Sequence, residues 1–262
     1  MSSLFTPYKL GPVTLRNRTI RSAAFESMGR DFGPTQQLKD YHVAVARGGV
    51  GMTTLAYAAV CRSGLSFNKQ LWLRPEIVPG LRDITDAVHR EGAAAAIQIG
   101  HCGNMTHRTT AGQMPIGAST GFKLYAYTPV RGMKKREIEQ VARDFGTAVR
   151  TAHDAGFDSV EVHAGHGYLI SQFLSLYTNH RRDEYGGSLE NRMRFMRMCL
   201  GEAVEAARAC GMAITVKHNM YDGFKGGIEI PESIEIARTI ESFGVDGIVL
   251  SGGFVSKAPM AV

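Results

Sequence analysis

The chain of 262 residues lacks any apolar run approaching the roughly 18–20 residues that a membrane-spanning helix requires. Its first residues, from Met1 to Pro7, lack the basic-then-apolar layout of a signal peptide. It has four cysteines, and none of them forms a C-x-x-C pair or a metal-ligand spacing. We therefore expect no membrane partner, a cytoplasmic location and reduced thiols.

Concentrated positive charge is also missing, although the formal net charge is +6 and the pI is about 9.2. The basic residues are dispersed, and the longest runs are Lys134–Arg136 and Arg181–Arg182. Nucleic-acid binding needs a denser basic stripe, so we expect no nucleic-acid partner and a solvated surface that suits an anionic small molecule. With 44% hydrophobic residues the chain can bury a large core, and we expect a single domain over residues 1–262.

Short β-rich runs alternate with helix-like segments along the chain. The predicted strands are Thr19–Ala23, Val50–Leu55, Ala93–Ile99, Asp158–Val162, Ala213–Lys217 and Val245–Leu250. The predicted helices are Lys39–Arg47, Pro79–Glu91, Lys134–Ala155, Leu189–Cys210 and Pro231–Phe243. The last three helices each end at a glycine just before a strand, namely at Gly156, Gly211 and Gly244. This repeated order predicts a parallel array of βα units.

Such an array closes into a (β/α)8 barrel or forms a doubly wound sheet. No G-x-G-x-x-G follows the first predicted strand, which disfavours the dinucleotide-binding sheet. We therefore predict an α/β fold of the (β/α)8 TIM-barrel type, with about six βα units in this chain. Because a closed barrel needs further strands, we expect the domain to be incomplete at its C-terminal end. An inactive truncated barrel is one alternative.

Two imidazoles and a phenol follow the fourth predicted strand directly, at His163, His166 and Tyr168. Barrel enzymes place their chemistry at the carboxyl ends of the strands. Two neutral imidazoles can hold a carbonyl oxygen on which negative charge builds, and a phenol can protonate the adjacent carbon. This cluster therefore predicts an enzyme whose chemistry lies at the end of that strand.

A rival interpretation treats the same two imidazoles as metal ligands. His101 or His218 would complete the set, and Glu161 lies two residues before His163. Metal-binding barrels usually add carboxylates close to the histidine ligands. We expect no metal and keep this site as an alternative.

These motifs resemble the Old Yellow Enzyme family of FMN-dependent NADH:flavin oxidoreductases. The matching segments follow the family order along the whole chain and are Leu15–Ala24, Gly48–Gly51, Gln98–His101, His163–Tyr168, Asn179–Arg192, Lys217 and Ser251–Gly253. The resemblance implies FMN and NAD(P)H as cofactors and an enone-like small molecule as substrate. It assigns carbonyl binding to His163 and His166 and proton donation to Tyr168. A dienoyl-CoA reductase or an amine dehydrogenase-like flavoenzyme is the alternative on the same barrel, and a homo-oligomer is possible.

The resemblance also implies a set of flavin-binding groups. They belong to Ser22, Ala23, Ala24, Phe25, Tyr57, Gln98, Lys217, Gly252 and Gly253. Lys217 would be the cation that favours the reduced flavin, and its alternative role is a buried ion pair with Glu161. Gln98 would bind the pyrimidine edge of the ring. The two glycines would form part of the ribityl or phosphate cradle.

Overall fold

The computed structural model describes residues 3–123 and 127–257. Its strands are β1 (Tyr8–Leu10), β2 (Val13–Leu15), β3 (Ile20–Arg21), β4 (Met52–Ala59), β5 (Leu71–Trp72), β6 (Ala94–Gly100), β7 (Ile116–Gly117), β8 (Gly121–Lys123), β9 (Thr128–Gly132), β10 (Ser159–His163), β11 (Ala213–Asn219) and β12 (Gly247–Ser251). Its α-helices are α1 (Gln36–Arg47), α2 (Val78–Arg90), α3 (Arg108–Ala111), α4 (Lys135–Asp154), α5 (Leu169–Leu174), α6 (Leu189–Ala209) and α7 (Ile230–Ser242).

The central sheet is parallel and has the order β12-β11-β10-β6-β4-β3, with β5 paired to β4. All six predicted strands lie in it as neighbours in chain order, and a helix connects each to the next. A doubly wound sheet would reverse its order part-way, whereas this sheet curls in one direction as a half-barrel. The predicted α/β fold of the barrel type is therefore confirmed.

Three helices end at the glycines that the sequence indicated, and each glycine has the left-handed backbone that stops a helix. Their φ angles are +82° at Gly156, +67° at Gly211 and +72° at Gly244. Two residues after the first and third of these glycines, Asp158 and Asp246 each accept a backbone N–H of the neighbouring strand at 2.8 Å. The Gly-x-Asp sequence thus ends a helix and fastens the next strand to the sheet.

The main core lies between the sheet and the helices that cover it. Helix α4 buries Ile138, Val141, Phe145 and Val149, a spacing of three or four residues that places one apolar face on the sheet. Burying one such large side chain stabilises the fold by roughly 1.5–3 kcal/mol. No helix in the described ranges is both long and apolar enough to cross a membrane.

Several parts of the fold differ from the sequence prediction. The first strand pairs only over Ile20–Arg21, so Ser22 and Ala23 leave the sheet at its carboxyl end. The region from Gly100 to Arg131 contains α3 and a small sheet of order β7-β9-β8, neither of which was predicted. Its strands are two to five residues long, which is too short for a sequence period to show. The hairpin β1–β2, which covers the amino end of the sheet, and the buried helix α5 were not predicted either.

Candidate active site

The three predicted catalytic side chains converge at the carboxyl end of β10. The ring centroid of His163 lies 5.0 Å from that of His166 and 4.8 Å from that of Tyr168. The chain turns sharply between them, because His166 and Gly167 both have left-handed backbone, with φ of +60° and +79°. Tyr168 then begins α5 as its N-terminal capping residue. The turn therefore brings the phenol of Tyr168 back against the imidazole of His163.

Contacts from later parts of the chain hold this turn in place. A Cβ on Gly167 would lie 2.4 Å from the ring of Phe254, so only glycine fits there. The amide oxygen of Asn219 accepts the backbone N–H of His166 at 3.1 Å. Sequence reasoning missed Asn219. Its position two residues after Lys217 could have indicated it, because that spacing places both side chains on one face of β11.

Both imidazoles are neutral near neutral pH. Burial holds the pKa of His163 well below its ordinary value, and His166 and Lys217 add to the effect. Burial, with Lys217 second, lowers the pKa of His166 to about 4. The Nε2 atom of His166 lies 2.7 Å from Ser251 Oγ. If the serine hydroxyl donates to this nitrogen, the Nδ1 atom of His166 carries the proton and can donate to a ligand.

A buried polar chain lies beside these rings, inside the curl of the sheet. Gln98 Nε2 donates to Glu161 Oε1 at 2.6 Å, and Lys217 Nζ lies 3.4 Å from the same oxygen. Lys217 also donates to the carbonyl of Ala23 at 3.0 Å and to Ser22 Oγ at 3.3 Å. The ion pair kept as an alternative is therefore present, and the same lysine contacts the segment that was predicted to carry the flavin ring.

The segment from Ser22 to Phe25 is anchored by a carboxylate that sequence reasoning missed. Glu26 Oε1 lies 2.6 Å from Arg21 Nη1, and Glu26 Oε2 accepts a backbone N–H of β4 at 3.2 Å. The Ala24 carbonyl accepts a hydrogen bond from Arg21 at 3.3 Å. Phe25 is 41% exposed and stacks on Phe67, with ring centroids 5.2 Å apart.

Tyr57, predicted near the flavin, packs directly against the rings of His163 and Tyr168. Its ring centroid lies 5.0 Å from that of Tyr168 and 5.9 Å from that of His163. Burial raises the pKa of Tyr57 well above its ordinary value, and its hydroxyl lies 2.6 Å from Ser66 Oγ. The residue therefore supports the cluster as a neutral phenol.

The two glycines predicted for the phosphate cradle differ in what they can offer. Gly253 donates its N–H to the carbonyl of Tyr221 at 2.9 Å, and its own carbonyl accepts from Asn219 at 2.6 Å. Its N–H therefore already has an acceptor within the protein. Gly252 makes no backbone hydrogen bond of this kind within residues 3–123 and 127–257.

The imidazoles of the metal interpretation have other partners. His101 Nδ1 accepts the N–H of Gly103 at 2.9 Å, and His218 Nε2 lies 2.9 Å from Ser233 Oγ. Over the part of the chain that the structure describes, no group of three or more His, Cys, Asp or Glu residues is arranged to hold a metal ion.

Comparisons with known proteins identify the family. The model of the NADH:flavin oxidoreductase / NADH oxidase family matches residues 3–256. The chain belongs to this family. It is 42% identical over 252 residues to the 4,4'-dithiodibutanoate disulfide reductase of Rhodococcus erythropolis, covering 96% of this chain and 62% of that protein. It is 36% identical over 265 residues to the NADPH dehydrogenase of Listeria monocytogenes, covering 99% of this chain and 76% of that protein.

Solved structures of the Old Yellow Enzyme family have the same fold. The homologue from Zymomonas mobilis superimposes with a TM-score of 0.86 at 27% identity, over 97% of this chain and 74% of that one. The predicted family and its oxidoreductase class are thus confirmed, and the family's cofactors are FMN and NAD(P)H. The chain spans less than two thirds of the length of the Rhodococcus relative.

Proposed function

We propose that the protein is an NAD(P)H-dependent flavin oxidoreductase that reduces the activated C=C bond of an enone-like acceptor. The observation that carries this proposal is the convergence of His163, His166 and Tyr168 beside the buried Lys217. The donor set fits the ring of FMN in part, since Lys217 supplies a cation and Gln98 an amide. When bound, FMN would supply the hydride chemistry between NAD(P)H and the β-carbon of the acceptor, and Lys217 and Gln98 would hold its ring.

The protein's own residues have distinct roles in this reaction. The two neutral imidazoles donate hydrogen bonds to the carbonyl oxygen, where negative charge develops as hydride arrives. Tyr168 gives its phenolic proton to the α-carbon and recovers a proton from solvent, so the alkene gains one hydride and one proton. Lys217, through its contacts with Ser22 and Ala23, holds the segment that supports the flavin ring.

A disulfide is the second candidate acceptor, because the Rhodococcus relative is named for one and is 42% identical to this chain. A disulfide that takes one hydride and one proton yields two thiols, so the electron balance is the same. Tyr168 would then protonate the departing thiolate. The carboxylates of 4,4'-dithiodibutanoate would remain charged throughout.

We also propose that residues 1–262 belong to one barrel domain, with a further βα unit packed on the flank of β12. Strands β10 and β11 are buried along their whole length, whereas Leu250 of β12 is 61% exposed. On the adjacent helix α7, Ile230 and Ile234 are 60% and 48% exposed. A flank with this much apolar surface fits a covering element, which would lie close to Gly252 and could complete the phosphate site.

Reconstitution with FMN and two half-reactions tests the proposed function. We expect a yellow protein whose visible flavin absorbance bleaches under anaerobic NADPH and returns on addition of cyclohexenone. Recovery with 4,4'-dithiodibutanoate but not with cyclohexenone would favour the second candidate. A protein that does not retain FMN, or whose reduced flavin neither acceptor reoxidises, would contradict the proposal.

A further inference from the structure

A cleft of about 380 Å³ lies near the catalytic cluster and has no role in the reaction described above. It is formed by the small sheet β7–β9, the segment after α5 and the segment after β12. The lining residues that matter here are Ser119, Thr120, Tyr177, His180 and Lys257. They come from three separate parts of the chain, so only the fold brings them together.

A single aromatic ring separates this cleft from the catalytic turn. Tyr177 meets Phe254 edge to face, with ring centroids 5.8 Å apart. Phe254 in turn forms a β-bridge with His166 and lies against the Cα of Gly167. The cleft and the turn from His163 to Tyr168 are therefore connected through the contacts of Phe254.

The cleft presents hydrogen-bond donors and a cation. Ser119 Oγ accepts the N–H of His180 at 2.8 Å, and Thr120 Oγ1 accepts a backbone N–H of β9 at 2.9 Å. Since each hydroxyl is an acceptor in these bonds, its own hydrogen remains available to donate. The Lys257 ammonium lies 5.7 Å from the ring centroid of Tyr177, which keeps its charge at the rim of the cleft.

The charge around the cleft is positive. No Asp or Glu occurs among the described residues that line it. An adjoining cleft of about 600 Å³ shares three of its lining residues and adds Arg182, which forms no ion pair within the described ranges. The acid there, Asp183, is already paired with Arg181 at 2.6 Å. A concave surface with unpaired cations attracts anions.

We propose that this cleft binds an anionic group, a carboxylate or a phosphate, that belongs to one of the two reactants. This inference rests on the proposed function and names a substrate class for the same site. Lys257 supplies the charge, and the hydroxyls of Ser119 and Thr120 orient the anion. The group has two possible sources: a carboxylate on the acceptor or a phosphate of NAD(P)H.

The first test removes the cation and measures each reactant separately in stopped-flow half-reactions. Lys257→Met is compared with Lys9→Met, which removes the same charge from an exposed position on β1 at the other end of the sheet. The acceptors are monomethyl fumarate and dimethyl fumarate, which share an activated alkene and differ by one negative charge. The reductants are NADPH and NADH.

A carboxylate source predicts that Lys257→Met raises the half-saturating concentration of monomethyl fumarate by about tenfold, the loss of one charge-assisted hydrogen bond. The value for dimethyl fumarate should stay within about twofold. If the anion is a phosphate of the reductant, the half-saturating concentration of NADPH should rise instead, with or without a rise for NADH. The half-saturating concentrations of the two fumarate esters should then not change. Ser119→Ala should raise the half-saturating concentration of the same reactant.

A binding measurement separates the cleft from the reaction. Isothermal titration calorimetry with the unreactive monomethyl succinate, dimethyl succinate and NADP⁺ needs no turnover. Selective binding of an anion that Lys257→Met weakens and Lys9→Met does not would support the cleft even if neither acceptor reoxidises the flavin. The inference is overturned if the Lys257 and Lys9 variants are indistinguishable for every reactant and every unreactive ligand.

Discussion

Replacing Lys217 by methionine tests the buried polar chain that connects the sheet to the proposed flavin-binding segment at Ser22 and Ala23. Its side chain is 5% exposed and that of Glu161 is 7% exposed, and the charges are 3.4 Å apart. At an effective dielectric constant of about 20, this separation corresponds to a gross attraction of about 5 kcal/mol. Much of that attraction offsets the loss of hydration, so the pair contributes little in net terms.

Removing one partner is different, because it leaves the other charge buried. After Lys217→Met, Glu161 retains the hydrogen bond from Gln98 but has no cation. We expect the free energy of unfolding to fall by about 3–5 kcal/mol. The double variant Lys217→Met/Glu161→Gln, which removes both charges, should recover most of that loss.

Equilibrium urea unfolding of the flavin-free proteins at neutral pH measures these differences, with Glu161→Gln as the other single variant. Added FMN should then stabilise the wild type more than the double variant, because a ligand stabilises the folded state more when it binds more tightly and we propose that Lys217 contributes to that affinity. The reasoning is refuted if Lys217→Met costs less than about 1 kcal/mol and couples to Glu161→Gln by less than about 0.5 kcal/mol. Such values would mean that the lysine is hydrated.

Three further predictions follow from the turn between His163 and Tyr168. Tyr168→Phe should slow acceptor reduction by about 10²–10⁴-fold and spare flavin reduction by NADPH; an equal loss in both stopped-flow half-reactions would exclude proton donation. Because the folded pKa of His166 is about 4 and an unfolded imidazole titrates near 6.5, only the unfolded state binds this proton as the pH falls through that window, and stability is lost. His166→Gln should therefore lose about 2 kcal/mol less between about pH 7 and pH 5 than the wild type, and equal losses in urea unfolding would contradict the assignment. Gly167→Ala should cost about 1–3 kcal/mol more than Gly211→Ala, since both have positive φ but only the first Cβ meets another atom, a carbon of Phe254 at 2.4 Å; similar melting curves would show that Phe254 moves aside.

The order of the sheet and the position of the cluster from His163 to Tyr168 could be predicted because their signals are local. Each Gly-x-Asp segment marks the end of one helix and the start of the next strand within three residues. The cluster from His163 to Tyr168 directly follows a strand, so its place at the carboxyl end is settled by chain direction alone. The small sheet β7-β9-β8 and the hairpin β1–β2 could not be predicted, because strands of two to five residues show no sequence period.

The alternation of strands and helices, the family and the residue types at the ends of the strands are all evident from the amino-acid sequence. Which of these residues meet is evident only from the packed fold. It brings Lys217 to Ser22, which lies 195 residues earlier, and places Phe254 against the turn at Gly167. The physical reason is that backbone preferences act over a few residues, whereas a buried charge or a close backbone approach depends on what the whole sheet packs beside it.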